Sequence, residues 1–166
     1  IGDGPALSVA VNVSARQLAD PAFPAVVADA VADNAVRPEQ VALEFTESAL
    51  IAANPVTEMV LSELTAIGVR IGLDDFGTGF SSLAYLKRFP IDFLKSDRSF
   101  VSGLDDPEDG DEGRDDTAIV TGTVALAHSL GLQVVAEGVE TESQLRSLRR
   151  LRCDLAQGFH FSEPVT

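Results

Sequence analysis

Polar residues punctuate the apolar ones in Leu7-Ser8-Val9-Ala10-Val11-Asn12-Val13, and this alternation predicts a strand over 7–13. Short apolar runs predict further strands over 41–45, 69–73, 91–95 and 132–136, with a last short one over 154–156. Between them lie stretches with helical spacing. An Ala/Val-rich helix is predicted over 21–36, ended by Pro38. Others are predicted over 55–67, closed by Gly68; 81–88, stopped by Pro90; 116–130, closed by Gly131; and 142–151. Strands alternating with helices imply parallel βαβ units, an α/β fold.

A polar residue stands at or just beyond the carboxyl end of every predicted strand: Asn12, Glu44, Asp74 with Asp75, Lys95, Glu137 and Gln157. Strand ends meet loops, so one such residue means little. Six in register match the way a (β/α)₈ barrel builds an active site from several strand ends. The set is chemically coherent, with carboxylates and an amide oxygen for a metal, a lysine for phosphate or water, and a second amide for positioning. Each residue also has a plain structural reading. Asn12 suits a cap on the turn before Arg16. Asp74 and Asp75, followed by Phe76-Gly77-Thr78-Gly79, suit a helix cap and a solvated turn. Lys95 suits an ion pair with Asp74 or Asp97. Glu44 inside an apolar strand is harder to explain this way, because a buried carboxylate requires a partner.

With 12 basic and 26 acidic side chains the formal charge is −14. That argues against binding nucleic acid polymers through their backbones. It leaves room for a small phosphate-bearing ligand, because bound cations invert the local sign. Cys153 is the only cysteine, which precludes an internal disulfide and is compatible with the cytoplasm. The opening Ile1-Gly2-Asp3-Gly4 has no signal-peptide pattern. Residues 117–136 are uncharged, yet Thr121, Thr123, His128, Ser129 and Gln133 interrupt the run and Gly131 divides it, so it reads as a helix and a strand rather than a membrane span. The segment 105–116 carries eight acids and one base and reads as a solvated acidic loop. Asp105, Asp109, Gly110 and Asp116 fall on calcium-loop positions, but Pro107 occupies a ligand position and the closing residue is Asp. Both histidines lack metal-ligand spacing, and Phe76, Phe80 and Phe159 read as packing residues rather than base-stacking platforms.

Several motifs follow one another in order: Asn12-Val13-Ser14-Ala15-Arg16-Gln17-Leu18, Leu43-Glu44-Phe45-Thr46-Glu47-Ser48 and Asp74-Asp75-Phe76-Gly77-Thr78-Gly79-Phe80-Ser81-Ser82-Leu83. Leu94-Lys95-Ser96-Asp97, Ala136-Glu137-Gly138-Val139-Glu140-Thr141 and Gln157-Gly158-Phe159 complete them. In this order they resemble the EAL domain, the bacterial phosphodiesterase family that hydrolyses cyclic di-GMP. The resemblance covers nearly the whole chain as a single domain over 1–166, with 105–116 as an insertion. It implies a TIM-like (β/α)₈ barrel and a two-metal hydrolysis of cyclic di-GMP to linear pGpG, with Mg²⁺ or Mn²⁺ as cofactor. In that pattern Asn12, Glu44 and Asp74 hold one metal, while Asp74 bridges to a second supported by Asp75 and Glu137. Lys95 and Gln157 serve the attacking water or the phosphate, and Glu47 and Glu140 are loop anchors.

The family's Glu-Ala-Leu motif, whose Glu is a metal ligand, has no counterpart ahead of Asn12, where Asp3 is the only acid. A barrel of this type needs about 250 residues and eight strands, so the chain is expected to lack the opening strands and helices. Two expectations follow: association of two copies through the open barrel edge, and no membrane contact. Two alternatives to an enzyme stand beside this reading, a cyclic di-GMP receptor that no longer cleaves and a regulatory interaction module. With one ligand missing, the chain on its own is expected to turn over little or no cyclic di-GMP with Mg²⁺ or Mn²⁺; robust formation of linear product on a chromatogram would show that the upstream ligand is dispensable.

Overall fold

Strands and helices alternate as the hydrophobic pattern predicts in the computed structural model, which describes residues 7–51, 54–77, 83–104 and 110–164. The chain divides into two units, one of Ile1–Leu73 with Ser82–Asp92, the other of Asp74–Ser81 with Phe93–Thr166.

In the first unit β1 (Val9–Asn12) leads through α1 (Ala15–Leu18), α2 (Phe23–Asp33) and a single 3₁₀ turn (Pro38–Gln40) to β2 (Val41–Thr46). Then follow α3 (Glu47–Ile51), α4 (Pro55–Ile67), β3 (Arg70–Phe76) and α5 (Leu83–Arg88). β1 and β2 are parallel, and their register sets Val9 beside Val41 and Asn12 beside Glu44. α4 shows why its sequence is helical. The Asn54 side chain accepts the amides of Val56 and Thr57, Pro55 opens the first turn, and Gly68 closes the last at φ +97°, a conformation that costs a side-chain-bearing residue more. Val60, Leu61 and Leu64 share its buried face, and Phe45 and Ile71 are equally inaccessible.

In the second unit, which also takes the end of β3, come β4 (Phe93–Ser96), α6 (Arg98–Ser102), α7 (Gly110–Ser129), β5 (Gln133–Ala136), α8 (Glu142–Arg150) and β6 (Leu155–Ala156). β4 pairs in parallel with β5, and β5 with β6. α8 begins in a reciprocal cap between Thr141 and Gln144, and it buries Leu145 and Leu148. Leu94, Val101, Val120, Ala127 and Val134 are buried in this unit.

The differences from the predicted elements have local causes. The acidic loop expected over 105–116 is helical from Gly110 onward; an acid-rich segment is favoured at the amino end of a helix, where the dipole is positive. Residues 105–109 lie outside the described residues, and with them two of the calcium-loop positions. β3 runs on through Asp74 and Asp75 to Phe76 instead of stopping at Leu73. The strand expected from 91 starts at Phe93, because Asp92 is used differently. Its amide donates to the Ile71 carbonyl at 2.8 Å and its carboxylate accepts the Ile71 amide at 2.7 Å. α1, α3 and α6 are four or five residues long, too short to show a helical period. Among the described residues no helix is long and apolar enough to cross a membrane.

Asp154 repeats the Asp92 device. Its carboxylate accepts the Val134 amide at the start of β5 at 2.8 Å and meets His128 Nε2 at 2.9 Å. Burial alone would raise this carboxyl, but the hydrogen bonds from His128 and Val134 outweigh it and hold it below its ordinary value. A depressed folded-state pKa contributes stability above the unfolded value, and that stability is lost as pH falls through the folded one. Asp154→Asn is therefore expected to lower stability by about 1 kcal/mol at pH 7. Thermal melts at pH 7 and below pH 3 check this, the gap between variant and parent closing at the lower pH.

Candidate functional site

β3 carries Asp74 and Asp75 just before its last residue, Phe76; β4 carries Lys95, Glu137 follows β5 and Gln157 follows β6. The backbone ladder fixes the relation of the last three. The Glu137 amide donates to the Ser96 carbonyl at 3.1 Å, the Gln157 amide to Ala136 at 2.8 Å, and the Val139 amide to Gln157 at 3.0 Å. Side chains from three strand ends then converge. Lys95 Nζ lies 2.7 Å from Glu137 Oε1 and 3.2 Å from Asp74 Oδ1, with the lysine side chain only 6% exposed. Carboxylate oxygens of Asp74, Asp75 and Glu137 all lie within 4.8 Å of one another.

One ammonium against three carboxylates leaves the cluster formally two charges negative. Asp75 records the strain of that arrangement. Burial pushes its carboxyl above the ordinary range, the charges of Asp74 and Asp97 push it the same way, and Lys95 opposes them. Its backbone sits at φ +57°, in the left-handed region that Asp tolerates better than most residues. The donor set suits a divalent cation by its chemistry, because hard carboxylate oxygens from three side chains gather within 4.8 Å of one another and carry the charge such an ion would neutralise.

Asn12 and Glu44 belong to the first unit. Their strands set them side by side, with Asn12 exposed and Glu44 buried, and the Val13 amide donates to the Glu44 carbonyl at 2.9 Å. Glu47, the first residue of α3, is buried there as well. In the second unit Glu140 is exposed just ahead of α8, its amide donating to Gln144 at 2.7 Å. Gln157 is exposed. Residues 78–82 of the Asp74 motif, Phe80 among them, lie outside the described residues.

α6 is a contributor that strand-end reasoning does not reveal. Asp97 caps it by accepting the Ser99 amide, and the hydrogen bonds from Ser99 hold the Asp97 carboxyl below its ordinary value. Its Phe100 ring lies so near Gly77 that an added Cβ would be 3.1 Å away, and Gly77 itself is at φ +98°. Arg98 crowds Gly138 in the same way. The two turns that follow Asp75 and Glu137 are thus backed by one short helix. The sequence signal was an Asp at a helix start two residues after Lys95. A second difference concerns the aromatics. Phe76 is buried as expected, whereas Phe159, expected to pack, is 63% exposed.

Parallel strands with a lysine-bridged carboxylate cluster at their carboxyl ends define an α/β protein with a candidate cation site. The family is decided by comparison: residues 2–164 match the model of the EAL domain, and the chain belongs to that family, with its TIM-like α/β fold. It is 43% identical over 158 residues to the bifunctional diguanylate cyclase/cyclic di-GMP phosphodiesterase MucR of Pseudomonas aeruginosa, covering 95% of this chain and 22% of MucR. The solved MucR phosphodiesterase in complex with cyclic di-GMP superposes with a TM-score of 0.85 at 44% identity, over 95% of this chain and 62% of that one. Klebsiella pneumoniae BlrP1, solved with manganese and cyclic di-GMP, superposes with a TM-score of 0.83 at 34% identity, over 95% of this chain and 39% of that one. The chain thus spans about a fifth of the length of the curated relatives it matches.

The buried lysine is the countercharge of this cluster. Lys95→Met should lower stability in EDTA by about 3 kcal/mol, because it leaves like charges together. Mn²⁺ should restore much of it, and melting curves with and without the ion check both.

Proposed function

We propose that the chain is the phosphodiesterase domain of a cyclic di-GMP signalling protein. In this reading it opens one phosphodiester of cyclic di-GMP to linear pGpG. The observation that carries the reading is the Asp74, Asp75 and Glu137 cluster with Lys95 between two of its members. Membership of the EAL family and the likeness to MucR support it.

Charge dictates how such a site works. Three carboxylates repel a phosphodiester, and one lysine does not offset them. Divalent ions, Mg²⁺ or Mn²⁺ in this reading, supply Lewis acidity toward water and neutralise phosphate oxygens when held by Asp74, Asp75 and Glu137. Asn12 and Glu44 serve as metal ligands in this reading, the role that the family resemblance implies. Lys95 is held by two carboxylates and desolvated, so its ammonium is aimed rather than free to wander. It donates to a phosphate oxygen or to the attacking water, and the Gln157 amide holds that water. The water oxygen forms the new bond to phosphorus while the opposite ester bond breaks, and the proton that the water gives up ends on the departing ribose oxygen. Glu47 and Glu140 serve as loop anchors in this reading, acting on geometry rather than on the reacting atoms.

The domain works in the cytoplasm. Two copies associate through β1, which ends the sheet and exposes Val9 and Val11; sedimentation velocity on the chain checks this, and a monomer at tens of micromolar counts against it.

In the full-length protein, chromatography of cyclic di-GMP incubated with Mn²⁺ should show linear pGpG, and Asp74→Asn should slow its formation about 100-fold or more. Metal-dependent nucleotide binding with no linear product would instead identify a receptor.

A further inference from the structure

Three strand ends bring the carboxylate cluster and its lysine together, and one short helix is connected to all three. α6 starts three residues after Lys95 on the same run of chain. The edge of its Phe100 ring stands against Gly77, where an added Cβ would be 3.1 Å from Cε2 and 3.5 Å from Cζ. Arg98 Cβ would lie 2.5 Å from a Cβ on Gly138. Gly77 is two residues beyond Asp75, and Gly138 directly follows Glu137.

The turn beneath the ring is the strained one. Asp75 sits at φ +57° and Gly77 at φ +98°. An aspartate in the left-handed region is held there by its surroundings more than by its own preference. Repulsion from the neighbouring carboxylates works against the same turn. The Asp74 carboxylate accepts the Asp75 amide at 3.0 Å, which fixes one end of it. The Phe100 ring stands at the other. α6 is itself anchored elsewhere. Asp97 accepts the Ser99 amide at 2.9 Å, and Val101 and, just beyond the helix, Leu104 are buried. The Asp116 side chain of α7 lies so close to Gly103 that a Cβ there would collide with it. The ring therefore rests on a fixed base.

We propose that Phe100 is a positioning residue of the cation site: its ring holds the Asp75–Gly77 turn so that Asp74, Asp75 and Glu137 keep the spacing that binds a divalent ion. This rests on the metal-dependent reading above. Phe100 touches neither ion nor substrate in this role. Ion binding gathers mutually repelling carboxylates, and a turn already held in place loses less freedom when it binds. Neighbours that orient ligands without touching the metal change its affinity about 10- to 100-fold.

The test is Mn²⁺ binding to the metal-freed full-length protein, followed by the electron paramagnetic resonance signal of free Mn²⁺. Asp74→Asn marks the share of binding that belongs to this site. Phe100→Ala should weaken that share about tenfold, and Phe100→Met, which reaches as far as the ring, should restore most of it. Val124→Ala removes buried bulk from α7 in the same unit. It should melt below the parent in EDTA yet bind Mn²⁺ as the parent does, which separates positioning from a general loss of packing. Should Phe100→Ala not fold, Phe100→Leu carries the same comparison with a smaller loss. In steady-state hydrolysis of cyclic di-GMP, the Mn²⁺ concentration giving half-maximal rate should rise about tenfold in Phe100→Ala, with KM at saturating Mn²⁺ little changed. Parent-like Mn²⁺ binding in the folded Phe100 variant would overturn the positioning role and leave the phosphodiesterase reading intact. Mn²⁺ binding that depends on Phe100, in a parent protein that forms no linear pGpG, would support the positioning role and overturn the phosphodiesterase reading.

Discussion

Like charges crowded at a strand end are the constraint around which the second unit is organised. Asp74, Asp75 and Glu137 come from two different strand ends, yet their oxygens lie within 4.8 Å of one another. Such a cluster persists only with a countercharge, and Lys95 is buried between two of its members. The lysine in turn depends on β4 being paired to β5, since that ladder carries the Glu137 amide to Ser96. Pairing, burial and charge are therefore one arrangement: loosening any of them exposes the others.

The same economy appears where the strands begin. Asp92 and Asp154 each use a carboxylate to accept the first amides of a neighbouring strand, at Ile71 and Val134. An aspartate ahead of a strand thus replaces a backbone carbonyl that the ladder has not yet supplied. At the opposite ends of the strands the carboxylates face one another. Aspartate does two kinds of work in this chain: accepting amides where strands start and gathering negative charge where they end.

Glycine and aromatic placement divide the second unit between rigidity and reach. Gly77 and Gly138 let α6 press against the turns that follow Asp75 and Glu137, while Gly158 lets the last loop lie flat on Val139. Phe100 faces inward at one of these contacts, and Phe159 and Phe161 face solvent beyond another. Backbone that is held this closely presents exposed side chains in a defined direction.

By itself the sequence determined the alternation of strands and helices, because period-two and helical spacing are local properties of the chain. It also determined which strand ends carry Asn12, Glu44, Asp74, Asp75, Lys95, Glu137 and Gln157, because a residue's place on a strand follows from counting. The helix start at Gly110, the beginning of β4 at Phe93 and the extension of β3 through Asp75 were not legible. Each depends on a group distant in sequence or on a dipole summed over a helix, as with Asp92 on Ile71 and Lys95 beside Asp74. Phe159 was misread for a related reason: an apolar side chain predicts burial only on average, and whether a neighbour covers it is settled in three dimensions. Only the tertiary structure decided that Lys95 is shared by Asp74 and Glu137, since residues 74, 95 and 137 meet through strand pairing that spacing along the chain does not encode.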